Sequence, residues 1–459
     1  MSLTTSFAAF THDCHYDGLP PATRRAAARC LLDHLGCVVG GMRTELGQTV
    51  AGLVAEMGGQ PQATLVAGNR QLPASSAALA NGTAANALDF DDTLLGHPGA
   101  TVCAAALATA ELVDARADQL LAALVAGYDV CARLTYYWQP EGGRYTRVWD
   151  TATLQTFGTA CAAASLLELS VEQIQHALGI ALTTAPSPRA RAAHGEAQKR
   201  PMLKSAWGWA AEAGVRAALL ARAGLTAPAF ALDNLTLVWR PDWQRYSGLE
   251  GPTDRLGEQF FIEQVEFKPY PACRFLHSTL DAVSELMAGG DVFWQEVAEV
   301  RVDGFSLLGD AFHNILAPTS RSEAQFSTPF SVAALLYYGR LTPDAFAPEA
   351  LHNPDVLRLA RRVTIATDAA YERAFPQKSG ARVSIASRDA GSGRERLVQG
   401  AADNPRGTPD YPLDDDTLCA KFVDLAEPLH GAQAARDTAE AILNLDKNSA
   451  VRDLMKRVA

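Results

Sequence analysis

Residues 86–99 hold the densest set of side chains in the sequence that could do acid–base chemistry. They read NALDFDDTLLGHPG, so Asp89, Asp91, Asp92 and His97 fall within nine residues. Carboxylates this close together must be solvated, paired or functional, because burying an unpaired charge is costly. Histidine is the side chain best suited to move protons near neutral pH. The pattern indicates either a proton-transfer site or a helix end that runs into an acidic surface loop.

Residues 266–277 form a second candidate, in which cations surround a rigid segment. They read EFKPYPACRFLH, and the two prolines favour an extended backbone. Lys268 and Arg274 lie on either side of the prolines, and His277 is predicted to begin a helix over residues 277–287. Lys and Arg near a helix N-terminus suit a carboxylate ligand. The alternative is a linker between domains whose basic residues are solvated.

Residues 193–214 form a third candidate, AHGEAQKRPMLKSAWGWAAEAG, with Lys199 and Lys204 ahead of a helix rich in alanine. These lysines belong either to an anion site or to a solvated helix face. Trp207 and Trp209 are expected to pack within the protein rather than to act on a substrate.

The elements that must position these groups change in character along the chain. Apolar residues recur at helical spacing through the first half, often as alanine, which favours closely packed helices. Helices are predicted at residues 24–40, 75–88, 100–112, 119–134, 153–167, 171–182 and 206–223. Polar and apolar residues alternate later, as in half-buried strands. Strands are predicted at residues 299–305, 362–367, 381–387 and 395–398. The predicted fold class is mostly α with an α+β second domain: a helical domain at 1–263 and 405–459, and an α+β domain at 264–404.

Composition limits the classes of partner and the compartment. The 459 residues carry a net charge of −11, which argues against nucleic acid and anionic membranes as partners but leaves a small anionic substrate open. The N-terminal sequence lacks the pattern of a signal peptide, and the apolar stretches are too short to span a membrane. The eight cysteines have no paired spacing. This spacing indicates that the cysteines are reduced thiols, and we expect a cytoplasmic location.

The sequence contains no motif that would hold a nucleotide or a zinc ion. It has no GxGxxG after a predicted strand, no GxxxxGK[ST], no HExxH and no Cys/His metal spacing. We therefore expect neither cofactor nor metal. The alternative is a metal bound by Asp89, Asp91 and Asp92.

Six motifs, in order along nearly the whole chain, resemble the MmgE/PrpD family. They are DHLGC at 33–37, LDFDDT with GHPG at 88–99, TATLQTFGTACAAASLL at 151–167, a lysine followed by GWAAEAGVRAALLARAGLTAP at 204–228, KPYPAC with a later histidine at 268–277, and EAQFSTPFSVAALL at 323–336. The family includes 2-methylcitrate dehydratases, cis-aconitate decarboxylases and an iminodisuccinate epimerase. The resemblance implies a large helical domain with a smaller α+β domain, a homodimer, and chemistry without metal or organic cofactor.

The resemblance also implies which residues form the active site. It points to His97, His277, Asp89 and Lys204 as catalytic residues. It points to Thr93 and Lys268 as substrate-binding residues, with Lys199 as a less well-aligned choice, and the helix start adds Arg274. In this scheme the histidines move protons, and Asp89 orients His97 or holds a substrate hydroxyl. Thr93 hydrogen-bonds the substrate, while the cations bind carboxylates and stabilise enolate-like charge.

One departure from the family pattern bears on the reaction. Members often have an aromatic–His–Pro–Thr run where this chain has Val148, Trp149, Asp150 and Thr151, so Trp149 replaces the histidine. We expect a cofactor-independent lyase that abstracts a proton α to a carboxylate of a small polycarboxylate, with dehydration as the leading reaction. An epimerase (isomerase), a decarboxylase of a related acid, and a non-catalytic protein that binds a small acid remain as alternatives.

Overall fold

The computed structural model describes residues 1–137, 148–149, 151–186, 189–190, 202–233, 251–388 and 391–459. They divide into two compact units. The helical unit comprises the described parts of Met1–His194, Met202–Phe267 and Asp414–Ala459, and the α+β unit comprises those of Lys268–Leu413. The predicted substrate-binding Lys199, together with Asp150 and the side chain of Trp149, lies outside the described part of the chain.

The helical unit is built from alanine-rich helices whose small side chains allow close contact. Its helices are α1 Leu3–Asp13, α2 Pro21–Gly41, α3 Glu45–Met57, α4 Ala74–Ala87, α5 Ala104–Leu112, α6 Ala117–Tyr137, α7 Thr151–Leu166, α8 Val171–Thr184 and α9 Met202–Arg222, and later α15 Asp415–His430, α16 Ala432–Leu443 and α17 Val451–Met455. The unit also contains one short hairpin, β1 Ala63–Leu65 with β2 Arg70–Leu72. A second antiparallel pair, β3 Val148–Trp149 with β4 Arg189–Ala190, joins the segments before α7 and after α8.

Helices α4 and α9 approach closely enough to bring two distant parts of the sequence together. A Cβ atom on Gly82 would lie 3.0 Å from the Gly208 Cα, and one on Gly208 would lie 2.3 Å from the Leu79 carbonyl oxygen. Only glycine fits at such distances. The contact places the first turns of α9, which carry Lys204, beside the end of α4.

The α+β unit contains one four-stranded sheet with helices around it. Its strands are β5 Val297–Gly304, β6 Val363–Thr367, β7 Ala381–Arg388 and β8 Glu395–Ala402, in the order β6-β5-β7-β8. The β5 and β6 strands are parallel, whereas β5 with β7 and β7 with β8 are antiparallel. Its helices are α10 His277–Ala288, α11 Arg321–Phe326, α12 Thr328–Tyr338, α13 Pro354–Ala360 and α14 Ala369–Ala374. Helix α10 packs on β7 and β8.

The predicted fold class, mostly α with an α+β second domain, is confirmed. The helix predicted at 100–112 begins with a wider π-type turn, Gly99–Cys103, which leads into α5. The change between the two compact units falls after Phe267, because Glu266 still pairs with Thr93 in the helical unit. No helix among the residues that the structure describes is both long and apolar enough to cross a membrane.

Candidate functional site

The loop between α4 and the π-type turn holds the acidic cluster in a constrained backbone. Asp89 and Leu95 adopt φ values of 50° and 51°, a left-handed conformation that is uncommon for residues other than glycine. Between them, Thr93 and Glu266 exchange two backbone hydrogen bonds of 2.9 Å. Asp89 and its neighbours Asp91 and Asp92 are at most 1% exposed. The alternative of an acidic surface loop is therefore wrong.

His97 and Asp91 form a hydrogen-bonded pair in this loop. Nδ1 of His97 lies 3.1 Å from Oδ2 of Asp91, and the Asn86 amide donates to the other carboxylate oxygen at 2.9 Å. Nδ1 also lies 3.0 Å from the amide nitrogen of Asn86, which can only donate, so this nitrogen has a partner in either tautomer. In the tautomer with the ring proton on Nδ1, that proton is donated to Asp91. Nε2 then carries the lone pair, which is the arrangement that a general base requires.

Trp207 and Gln155 also contact His97, and neither hydrogen-bonds Nε2. Its ring lies against Trp207, with centroids 4.7 Å apart. In the amide orientation that satisfies both groups, Gln155 accepts from the His97 N–H at 2.8 Å and donates to the His97 carbonyl at 3.2 Å. The side chain is 12% exposed. No residue in the described ranges hydrogen-bonds Nε2, so it is available to a ligand.

Lys204 pairs with Asp89 next to this histidine. Their side chains are 2.9 Å apart, and both are almost completely buried. Sequence reasoning gave Asp89 the alternative role of orienting His97. In the structure Asp91 lies within hydrogen-bond distance of His97, while Asp89 pairs with Lys204. The pair keeps a positive charge close to the proposed base.

Two buried oxygen atoms in the same loop region lack a hydrogen-bond partner among the described residues. They are Oγ1 of Thr93 and Oδ1 of Asn86. Buried polar atoms in proteins nearly always have a partner. A bound polar molecule or water at this site would provide one. The role of Thr93 in substrate binding stays a prediction.

Asp92 has a structural place in the loop. It accepts hydrogen bonds from the Gly99 backbone N–H and the Tyr128 hydroxyl, both at 2.7 Å. Burial raises the pKa of Asp92 to about 8. A Cβ atom on Gly99 would lie 2.7 Å from Asp92 Oδ1, so glycine is required there. Asp92 thus ties the end of the loop to the turn after His97.

A buried ion pair that sequence reasoning missed also supports the loop, through the Phe90 carbonyl. Nζ of Lys421, on α15, donates to Asp33 Oδ1 and to the Phe90 carbonyl, each at 2.6 Å. It also lies 4.0 Å from the centroid of the Phe90 ring. Burial alone would lower the pKa of Lys421, but the Asp33 carboxylate raises it. No sequence spacing indicates this pair, because 388 positions separate its members.

The described residues include one candidate cation site. Ligand atoms of Asp89, Asp91 and His97 all lie within 4.8 Å of one another. This set differs from the predicted alternative by having His97 in place of Asp92, whose oxygens already accept two hydrogen bonds. The Lys204 ammonium would repel a divalent cation at this position. Metal binding would therefore have to compete with the Lys204–Asp89 pair.

The remaining predicted residues lie in the α+β unit. His277 is fully buried, with Nε2 3.1 Å from the Ala272 carbonyl and Nδ1 3.2 Å from Nη1 of Arg274. Since guanidinium only donates and a carbonyl only accepts, His277 is a neutral tautomer protonated on Nε2. Arg274 also donates to the Arg406 carbonyl at 2.8 Å, and Lys268 is fully buried.

The structure therefore distributes the predicted site residues between the two units. The helical unit brings together Asp89, Thr93, His97 and Lys204, while the α+β unit contains Lys268, Arg274 and His277. Sequence reasoning gave no role to Asn86 or Gln155, although Asn86 lies inside the motif that contains His97. Of the two tryptophans expected to pack, Trp207 does so beside His97, but for Trp209 this was wrong, since it is 50% exposed.

Comparison with known proteins agrees with this organisation. Residues 5–238 match the model of the MmgE/PrpD N-terminal domain, and residues 270–447 match that of the C-terminal domain. The chain is 28% identical to human cis-aconitate decarboxylase over 386 residues, which covers 79% of this chain and 76% of that protein. It is 24% identical over 469 residues to a cis-aconitate decarboxylase-like protein of Aspergillus oryzae, covering 96% and 94%. The two domain matches show that the chain belongs to the MmgE/PrpD family.

Proposed function

We propose that this protein is a lyase that removes a proton from the carbon α to a carboxylate of a small polycarboxylate. The observation that carries the proposal is the state of His97. Its Nδ1 is held by Asp91, while no described residue hydrogen-bonds its Nε2. A histidine in that state can accept a proton from carbon near neutral pH.

One cation near His97 suits an anionic substrate, beside the carboxylates of Asp89 and Asp91. Lys204 provides a buried ammonium group that pairs with Asp89. Proton removal next to a carboxylate moves negative charge onto the carboxylate oxygens, and a fixed cation stabilises that charge where water is excluded. Thr93 and Asn86 offer the two unsatisfied oxygen atoms described above, which suit a substrate hydroxyl as donor.

Dehydration is the finer reaction that we propose. The electrons of the broken C–H bond form the C=C bond, and the β-hydroxyl leaves as water after it takes up a proton. Lys268, Arg274 and His277 retain their sequence-based assignments as carboxylate-binding and acid–base residues. The homodimer implied by the family also stays a prediction, for which light scattering in solution is the measurement.

Decarboxylation is the second candidate, because the human and Aspergillus relatives carry that activity in their names. Against it, Trp149 stands where family members often have a histidine. An epimerisation would use the same residues to remove and return the proton, without loss of water or carbon dioxide.

The test is incubation of the protein with a panel of citrate-like acids in heavy water, read by proton NMR and mass spectrometry. We expect loss of the Cα proton signal with at least one acid. A product lighter than the acid by one water indicates dehydration, and one lighter by one carbon dioxide indicates decarboxylation. Binding of an acid with neither exchange nor turnover would contradict the lyase and favour the non-catalytic alternative.

A matched pair of variants connects the result to the site. His97→Gln should slow the exchange by roughly 10²–10⁴, whereas His12→Gln, which changes an exposed histidine on α1, should leave it unchanged. Equal exchange in the two variants would remove His97 from the mechanism.

A further inference from the structure

A second set of reactive groups lies in the α+β unit and takes no part in the chemistry proposed above. Sγ of Cys273 is 3.7 Å from Nε2 of His313, and Nδ1 of His313 is 2.9 Å from Oδ1 of Asp310. A thiol, an imidazole and a carboxylate in this order form the arrangement that activates cysteine as a nucleophile.

The carboxylate of this set is well fixed. Besides the imidazole, Oδ1 of Asp310 accepts the backbone N–H groups of Phe312 and His313, each at 3.0 Å. Hydrogen bonds to a carboxylate favour its ionised form. An ionised Asp310 holds the proton of His313 on Nδ1 and orients Nε2 toward the thiol.

The histidine favours its cationic form. Burial alone would lower the pKa of His313, but its hydrogen bonds with Asp310 and Cys273 raise the pKa to about 9. An imidazolium beside a cysteine stabilises the thiolate, which is the nucleophilic form. The geometry and the charge therefore act in the same direction.

The backbone at Cys273 is also held in place. Its N–H donates to the Gln325 carbonyl at 2.8 Å, and its carbonyl accepts from Leu276 at 3.0 Å. Cys273 precedes the short turn Arg274–Leu276 that leads into α10.

The other cysteines provide an internal comparison. Burial raises the pKa of six fully or largely buried thiols, at positions 14, 30, 37, 103, 131 and 161. Cys419 is the most exposed of the eight, yet burial together with Asp415 and Asp416 raises its pKa. Within the described residues, Cys273 is the one cysteine that hydrogen-bonds a histidine.

We propose that Cys273 is an activated thiol and a site of covalent modification by small uncharged carbon electrophiles. In the reaction with iodoacetamide, the thiolate sulfur forms a bond to the CH₂ carbon, and the carbon–iodine bond breaks to release iodide. His313 keeps its proton throughout, so no further reactant is needed. The proposal is independent of the lyase activity.

The test is a time course of alkylation on the native full-length protein. The reaction with iodoacetamide is quenched at intervals, the protein is digested, and the modified fraction of each cysteine peptide is measured by mass spectrometry. Exposure alone predicts that Cys419 reacts first, because Cys273 is only 6% exposed. We expect the opposite order. Slower modification of Cys273 than of Cys419 would overturn the proposal.

Variants test whether the histidine is the cause. His313→Gln should slow modification of Cys273 by about tenfold or more while Cys419 reacts as before. His352→Gln, at an exposed histidine, is the matched control and should change neither rate. Asp310→Asn should slow Cys273 less, and it serves as the test if His313→Gln fails to fold. Unchanged rates at Cys273 in the folded variants would overturn the assignment.

Discussion

His97 in the helical unit and His277 in the α+β unit were both predicted as acid–base residues, and the structure places them in different environments. His97 uses one ring nitrogen to bind Asp91 and is 12% exposed, whereas His277 is fully buried with both nitrogens hydrogen-bonded. A ring with one nitrogen that no described residue hydrogen-bonds can exchange a proton with a ligand. A ring with both nitrogens in use contributes to local order, and Arg274 must first move if Nδ1 is to accept a proton.

The two histidines also differ in whether the imidazole itself holds the surrounding backbone in place. The loop of His97 is fixed by groups other than its imidazole, namely the Thr93–Glu266 backbone pair, Gln155 and the Lys421 contact with Phe90. The imidazole of His277 itself joins the Ala272 carbonyl to Arg274. Replacement of the two side chains should therefore separate catalysis from stability in one case and couple them in the other.

The largest expected effect is on turnover in His97→Gln. We expect the rate of Cα exchange or turnover to fall by roughly 10²–10⁴, the usual contribution of a general acid or base, with little change in melting temperature. Both quantities are measured on the same sample. A loss of activity that only follows the loss of folded protein would make His97 structural and would end the contrast with His277.

Lys421→Met is expected to have the largest effect on stability. It leaves Asp33 buried without its cation and removes a donor from the Phe90 carbonyl, so the free energy of unfolding should fall by about 3–5 kcal/mol. Urea denaturation provides the measurement. The double variant Asp33→Leu/Lys421→Met is the control, because it removes both charges and should recover much of the loss. Equal stability of the single variant and the wild type would show that the loop needs no such support.

His277→Gln should reduce both stability and turnover. Either the Ala272 carbonyl or Arg274 loses its partner, which we expect to lower the free energy of unfolding by about 1–3 kcal/mol. Turnover per folded molecule, measured beside the urea curve, tests the sequence-based catalytic assignment. If this variant loses turnover at unchanged stability, as we expect of His97→Gln, the distinction between the two histidines is wrong.

Asp92→Asn should produce an effect on stability that depends on pH. Burial raises the pKa of Asp92 to about 8, above the value of about 4 for an unfolded aspartate. Between these values the native carboxyl stays protonated while the unfolded one ionises. Its stabilising contribution is complete below about pH 4 and decreases by about 1.4 kcal/mol per unit as the pH rises toward 8.

The asparagine variant cannot titrate, so its stability relative to the wild type should increase with pH across this window. Urea curves at about pH 5 and about pH 7 give the comparison, with exposed Asp13→Asn as the control. A constant difference between variant and wild type at the two pH values would mean that Asp92 is already ionised in the native protein.

The smallest effect is expected from chelation. Activity should survive EDTA, because a divalent cation held by Asp89, Asp91 and His97 would lie next to the Lys204 ammonium. The assay compares initial rates before and after dialysis against EDTA. Loss of turnover that one divalent ion restores would show that the cluster of the helical unit is a metal centre instead.

Sequence alone determined the element types and the positions of the chemical groups. Helical spacing predicted most helices of the first half, and alternation predicted the four strands of the sheet, because both patterns follow from local backbone geometry. The same geometry places Trp207 and Trp209 about 200° apart on α9, so only one of them could face inward. The motif at residues 86–99 identified the loop that contains His97.

Tertiary structure determined which side chains contact each other. Three aspartates lie within four residues, and their sequence order does not show that Asp91 meets His97 while Asp89 meets Lys204. The Lys421–Asp33 pair and the Cys273–His313 contact join segments far apart in the chain. Such contacts depend on how whole helices pack, and on close approaches such as that of Gly208 to Leu79, which no local pattern of residues encodes.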